Sequence, residues 1–135
     1  MTVKLYKLSH FLWKYNIPII PKLITYLIRV IFNAYIPCSF KSGKKLKLGY
    51  QGLGIVIHNN VEIGEDCHID QNVTIGGTSK KKNVPKLGNN IYIGAGAKVL
   101  GPISIGNNVV IGANAVVVCD IPDKSLVVGI PGRII

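Results

Sequence analysis

The chain has 135 residues, a formal net charge of +10, 48% hydrophobic residues and 16% charged ones. That length holds one small domain, the apolar share is too high for an intrinsically disordered chain, and the longest apolar stretch is interrupted by Pro18, Pro21, Lys22 and Arg29, short of the roughly 20 residues a membrane span needs. Charge is unevenly placed: nine basic residues lie between Lys4 and Lys47, and the first acidic residue is Glu62.

Residues 1–35 form an N-terminal helical segment divided at Pro18 and Pro21. Before the prolines, Leu5, Leu8, Phe11, Leu12 and Tyr15 recur at steps of three and four residues, which is helical spacing. After them, Leu23 to Ala34 is apolar nearly all round, broken by Thr25, Arg29 and Asn33. Two readings stand. Either both helices pack on the rest of the protein or on a neighbouring subunit, or they form an interfacial anchor. In the second case Lys4, Lys7, Lys14, Lys22 and Arg29 meet anionic lipid while Trp13 and the aliphatics enter the headgroup layer of a membrane surface. Nucleic acid is not an expected partner, because the basic residues alternate with aliphatics instead of forming a polar stripe.

Over residues 36–135 the period changes. Aliphatic residues stand at Ile57, Ile63, Ile69 and Ile75, then at Leu87, Ile93, Val99, Ile105, Ile111 and Val117; each follows the last by six, and the single gap of twelve keeps the register. Four positions after each stands a small or β-branched residue, as at Val61, Cys67, Val73, Ile91, Ala97, Ile103, Val109, Ala115 and Ile121. A period of six fits neither a helix nor a single strand. It marks stacked units, none of which buries its apolar face alone. β-branched residues favour short strands, and Gly and Asn supply the corners between them. The spacing predicts an all-β domain, a parallel β-helix in which each coil is hydrogen-bonded to the next. Cys67, at a small inward position, reads as a buried thiol. Cys38, Cys67 and Cys119 are odd in number, lack metal-ligand spacing and accompany no cleavable leader pattern, so a cytoplasmic setting is expected.

The stretches IGEDCHIDQNVTIGG, IYIGAGAKVLGPISIGNNVVIGANAVV and VVGIPGRII resemble the hexapeptide-repeat acyltransferases. The nearest match is the serine acetyltransferase-like group, which includes O-acetyltransferases of surface polysaccharides. The resemblance implies a left-handed β-helix of triangular section with three hexads per coil, a homotrimer with sites between subunits, acetyl-CoA as co-substrate and no metal. It also implies that Gly76, Gly94, Ala95 and Ala113 leave room for the cofactor and that Arg133 meets a CoA phosphate. Where the family carries a Thr-Lys pair this chain has Val118 and Cys119, leaving Lys98 or the loop lysines Lys80, Lys81 and Lys82 to compensate. The same Gly and Ala residues are also what the corners of any such prism require.

Acetyl transfer from a thioester to a hydroxyl needs a base for the hydroxyl proton and donors for the oxyanion. The three histidines are His10, His58 and His68. His10 lies in the first helix, and His68 reads as a surface corner residue beside Cys67. His58 follows Ile57 at a place where most hexads carry a small residue, and an eighteen-residue coil stacks it beside Gly76. It is therefore the expected catalytic base, oriented by Asp70 or Glu62, with backbone N–H groups near Gly76 or Gly94 holding the oxyanion. Where serine acetyltransferases carry histidines this chain has Tyr35, Tyr50 and Val84, which argues against serine as the acceptor. The expected function is acetyl-CoA-dependent transfer to a hydroxyl of a sugar or surface-polysaccharide precursor. Serine O-acetyl transfer and a non-catalytic assembly partner are the alternatives. A γ-class carbonic anhydrase fits less well, since it needs three histidines per metal and the prism offers His58 and His68 only.

Overall fold

A computed structural model describes all 135 residues. Two helices, α1 (Thr2–Lys14) and α2 (Ile20–Phe32), precede the short strands β1 (Lys41–Ser42), β2 (Lys47–Leu48) and β3 (Val56–Ile57) of the first coil. The second coil holds β4 (Glu62–Ile63), β5 (His68–Ile69) and β6 (Thr74–Gly76), and the third holds β7 (Lys86–Leu87), β8 (Tyr92–Ile93) and β9 (Lys98–Leu100). The fourth holds β10 (Ser104–Ile105), β11 (Val110–Ile111) and β12 (Val116–Val117), after which β13 (Leu126–Val128) and β14 (Arg133–Ile134) close the end.

These strands stack into three faces, ordered β1-β4-β7-β10, β14-β13-β11-β8-β5-β2 and β12-β9-β6-β3. All neighbours are parallel except β13 and β14, which pair antiparallel. Because alternate residues of a strand face opposite ways, the aliphatic hexad positions point inward as ladders. Leu48, Ile69, Ile93, Ile111 and Val127 run along one face in register, and Ile57, Ile75, Val99 and Val117 along another. Every aliphatic hexad position named from the sequence is buried, and so is Cys67. Burial is also the first cause that pushes the Cys67 thiol above its ordinary range.

Corners are set by residues in the left-handed region, among them Asp66, Asn72, Asn90, Asn108 and Asn114. Asn tolerates that conformation because its side chain bonds locally. The side chains also tie coil to coil: the Asn89 N–H donates to Asn107 Oδ1 at 2.8 Å, and the Asn107 N–H to Asp123 Oδ1 at 2.7 Å.

The helices close the start of the prism. Tyr6 and Ile28 are fully buried members of the main core cluster. The Tyr6 hydroxyl donates to the Phe40 carbonyl, and burial pushes its phenol up to about 12, so it stays a neutral donor. α1 lacks a side-chain cap of its own. Instead Gln51 Oε1 accepts from the Thr2 N–H at 3.3 Å, and the Gln51 carbonyl accepts from Thr2 Oγ1 at 2.6 Å. Two consecutive left-handed residues, Tyr50 and Gln51, present that cap from the turn Gly49–Gly52. No helix is long and apolar enough to cross a membrane.

Candidate active site

The corner that follows β3 and β6 carries the expected base. The His58 N–H donates to the Ile75 carbonyl at 2.9 Å, which places His58 beside Gly76 on the next coil. A Cβ placed on Gly76 meets nothing within 4 Å, so the space beside the imidazole is open. Next to it, the Gly77 N–H donates to no group of the chain. An unpaired backbone donor beside an exposed imidazole is a combination that oxyanion chemistry uses.

Neither carboxylate expected to orient His58 does so. Asp70 accepts from His68 Nε2 at 2.9 Å, and its other oxygen accepts from the Tyr92 hydroxyl. The hydrogen bond to Asp70 raises the Tyr92 phenol above its usual range, with desolvation and the charge of Asp70 adding to the shift. Glu62 sits between Lys41 and Lys86, 3.7 Å from each. His58 is held by its own turn, since Nδ1 accepts from the Asn60 N–H at 3.1 Å. In this rotamer the neutral ring carries its proton on Nε2, as a donor. To accept a proton it has to turn about χ2 and release Asn60, at the cost of one neutral hydrogen bond, about 1 kcal/mol.

The His68–Asp70–Tyr92 cluster escaped the sequence reading. The signal was available: His68 and Asp70 flank the inward Ile69, so both face outward. Tyr92 is the register partner of His68 on the next coil, with ring centroids 5.2 Å apart. His10 is structural, with Nδ1 2.7 Å from the Cys38 carbonyl and its ring between Tyr6 and Trp13.

The residues expected at the cofactor divide between two ends of one face. Gly94, Ala95 and Ala113 share the corner before β9 and β12, where the Asn114 N–H donates to the Ala95 carbonyl at 2.9 Å. Gly76 lies at the opposite end, beside His58. Gly94 is required by the corner itself, because a Cβ there would stand 2.7 Å from the Ala113 nitrogen. Its N–H is bonded to the Ile111 carbonyl at 2.8 Å, so Gly77 and not Gly94 has a donor to offer an oxyanion. Lys98 is a strut, donating from Nζ to the Gly96 and Asn72 carbonyls at 2.8 and 3.1 Å. Arg133 is exposed on β14 and forms no ion pair. The two glycines make a paired test: Gly76→Ala is expected to leave the free energy of unfolding within error, whereas Gly94→Ala lowers it by about 1–3 kcal/mol through overpacking against backbone, both read by denaturant titration.

A groove of about 590 Å³ opens beside this corner, between the outer face of β1, β4, β7 and β10, Trp13 of α1, and the loop that joins β6 to β7. Asn59 and Asn60 line it next to His58, and Lys41, Lys82 and Lys86 outnumber Glu62 on its wall. Of the loop lysines Lys82 lines this groove while Lys80 and Lys81 do not, and His58 itself lies at its edge and lines none of these cavities. No group of His, Cys, Asp and Glu side chains is disposed to hold a metal ion.

Residues 85–119 match the family model of the bacterial transferase hexapeptide, six repeats. The chain is 43% identical over 132 residues to a serine acetyltransferase of Helicobacter pylori, covering 96% of this chain and 77% of that protein. It is 43% identical to the serine acetyltransferase of Synechococcus elongatus over 96% of this chain and 54% of that one. The crystal structure of serine acetyltransferase from Brucella abortus superposes with a TM-score of 0.94 at 31% identity, over 99% of this chain and 55% of that one. The fold is thus a left-handed parallel β-helix of the hexapeptide-repeat acyltransferase class. Within that class, the chain belongs to the serine acetyltransferase family. It spans little more than half the length of most of the curated relatives it matches. The expectation of a polysaccharide acceptor is corrected by these relatives, which are serine acetyltransferases. That expectation rested on three replaced histidines, and a replaced side chain says what a site has lost without saying what it binds.

Proposed function

We propose that the chain transfers the acetyl group of acetyl-CoA to the hydroxyl of serine or a closely similar small amino acid, as a trimer. The observation that carries this reading is the 43% identity to a serine acetyltransferase over 96% of the chain. A structure of the Brucella abortus enzyme in complex with coenzyme A, 31% identical with a TM-score of 0.93, supports the co-substrate. Val110 and Val118 are exposed apolar residues on the prism, as a subunit contact requires.

In this reading the thioester lies along the face that joins the Ala95–Ala113 corner to Gly76, with small residues at both ends. His58, turned toward the groove, takes the hydroxyl proton. The acceptor oxygen attacks the carbonyl carbon, the Gly77 N–H holds the oxyanion, and the CoA thiolate leaves. Lys41, Lys82 and Lys86 give the groove wall an excess of positive charge that suits a carboxylate or a phosphate. Arg133 remains free to meet a CoA phosphate.

A non-catalytic assembly partner is the second reading. Val84 favours it: the side chain at the family's loop-histidine place is apolar and buried. Incubation with acetyl-CoA and L-serine, following release of the CoA thiol and formation of O-acetylserine, separates the two. Release that depends on serine supports the first reading. CoA binding with no release on serine, threonine or homoserine overturns it.

A further inference from the structure

The outer side of α2 is an apolar surface that the fold leaves uncovered. Of its thirteen residues only Pro21, Thr25 and Ile28 are buried. At 100° per residue, Ile20, Leu23, Tyr26, Leu27, Val30 and Ile31 fall together in an arc of about 140° turned away from the core. Exposure along it reaches 57% at Leu23, 58% at Tyr26 and 82% at Val30. A soluble monomer rarely shows a contiguous patch of this kind without a partner for it.

Charge decides which partner. Lys22 and Arg29 border the arc on one side, both exposed. No Asp or Glu occurs before Glu62, so neither helix supplies an acidic side chain to offset them. A second copy docked face to face would bring these cations against their own copies at the edge of an apolar contact. An anionic lipid surface brings the opposite sign instead, and its acyl boundary accepts the apolar arc. Thirteen residues of helix extend only about 20 Å, less than the roughly 30 Å of a bilayer core, so the helix lies in the interface plane and does not cross it.

We infer that α2 docks the protein on anionic membrane surface, with its apolar arc in the headgroup layer and Lys22 and Arg29 on the lipid phosphates. Lys22 and Tyr26 also line a smaller cavity that shares Trp13, Ser39 and Asn59 with the active-site groove, but the inference does not depend on the acyl-transfer reading. Its geometry is that of an interfacial amphipathic helix, whose binding combines buried apolar area with attraction to anionic lipid.

The test is co-sedimentation of the full chain with phosphatidylcholine vesicles, with and without about a third phosphatidylglycerol. Partitioning at low salt is expected to be at least about ten-fold stronger on the anionic vesicles and to weaken as salt rises. Leu23→Glu with Val30→Glu is expected to lower it by about ten-fold or more, since both positions are exposed and the fold does not need them. Lys22→Gln with Arg29→Gln leaves the apolar arc intact and is expected to remove most of the preference for anionic lipid, so a folding defect in the first variant does not decide the question. Circular dichroism and acetyl-CoA binding serve as the fold controls. Failure of the wild-type chain to sediment with anionic vesicles overturns the inference. So does a loss of assembly mass in the Leu23→Glu, Val30→Glu variant with vesicle binding unchanged, which would assign the face to a second copy.

Discussion

His58→Ala is expected to lower turnover on acetyl-CoA and serine by about two to four orders of magnitude while leaving the affinity for acetyl-CoA nearly unchanged, the signature of a lost acid–base group. The expectation rests on place: His58 stands beside the open position at Gly76 and the unpaired N–H of Gly77. His68→Ala is the contrasting variant and is expected to change turnover little. The contrast has content because His68 has the tidier hydrogen bonding. Its Nε2 donates to Asp70, which leaves Nδ1 as the acceptor. His58 starts in the opposite state, with Nδ1 accepting from Asn60. Steady-state kinetics on both variants decides between them. Wild-type turnover in His58→Ala together with a large loss in His68→Ala would transfer the role of base to the His68–Asp70 pair. Loss in neither would move attention to Tyr50, which is 78% exposed on its turn.

Ile93→Ala is expected to destabilise the protein by about 2–5 kcal/mol, the usual cost of emptying a fully packed aliphatic site. Ile93 is completely buried. It sits at the middle of the ladder from Leu48 to Val127, between Ile69 and Ile111. Each coil of a solenoid touches only its neighbours, so the cavity cannot be relieved by a shift elsewhere without breaking the backbone ladder on both sides. Urea unfolding at fixed protein concentration measures the loss, the concentration being held because assembly adds to apparent stability. A loss below about 1 kcal/mol would show that the prism collapses around the gap instead of keeping its section.

The hexad period made the core legible because backbone and side-chain requirements coincide in it. Every sixth residue must be aliphatic to fill the prism, and the residues between must turn a corner. Ile57, Ile75, Val99 and Val117 could therefore be assigned inward without coordinates, and His58 could be stacked on Gly76 by counting one coil. The first helix was legible from spacing and the second from its apolar run, although the second starts at Ile20 and takes Pro21 into its first turn, and the docking of neither was legible. Nothing in the sequence near Thr2 announces that Gln51, far along the chain, caps the first helix. Orientation of side chains was the least accessible property. Counting put Asp70 within reach of His58, whereas in the folded chain its two oxygens serve His68 and Tyr92.

By itself the sequence determined the fold class, the inward ladder, the open position beside His58 and the charge imbalance of the N-terminal third, because each follows from the identity and spacing of residues along one repeating path. The tertiary structure alone decided which nitrogen of His58 is engaged and that Lys98 braces a corner through the Gly96 and Asn72 carbonyls. It also decided that Gly77 and not Gly94 keeps a free N–H, and that the apolar arc of α2 faces away from the core. Hydrogen bonds of about 3 Å depend on rotamers and on neighbours one coil away, and no one-dimensional period carries that information.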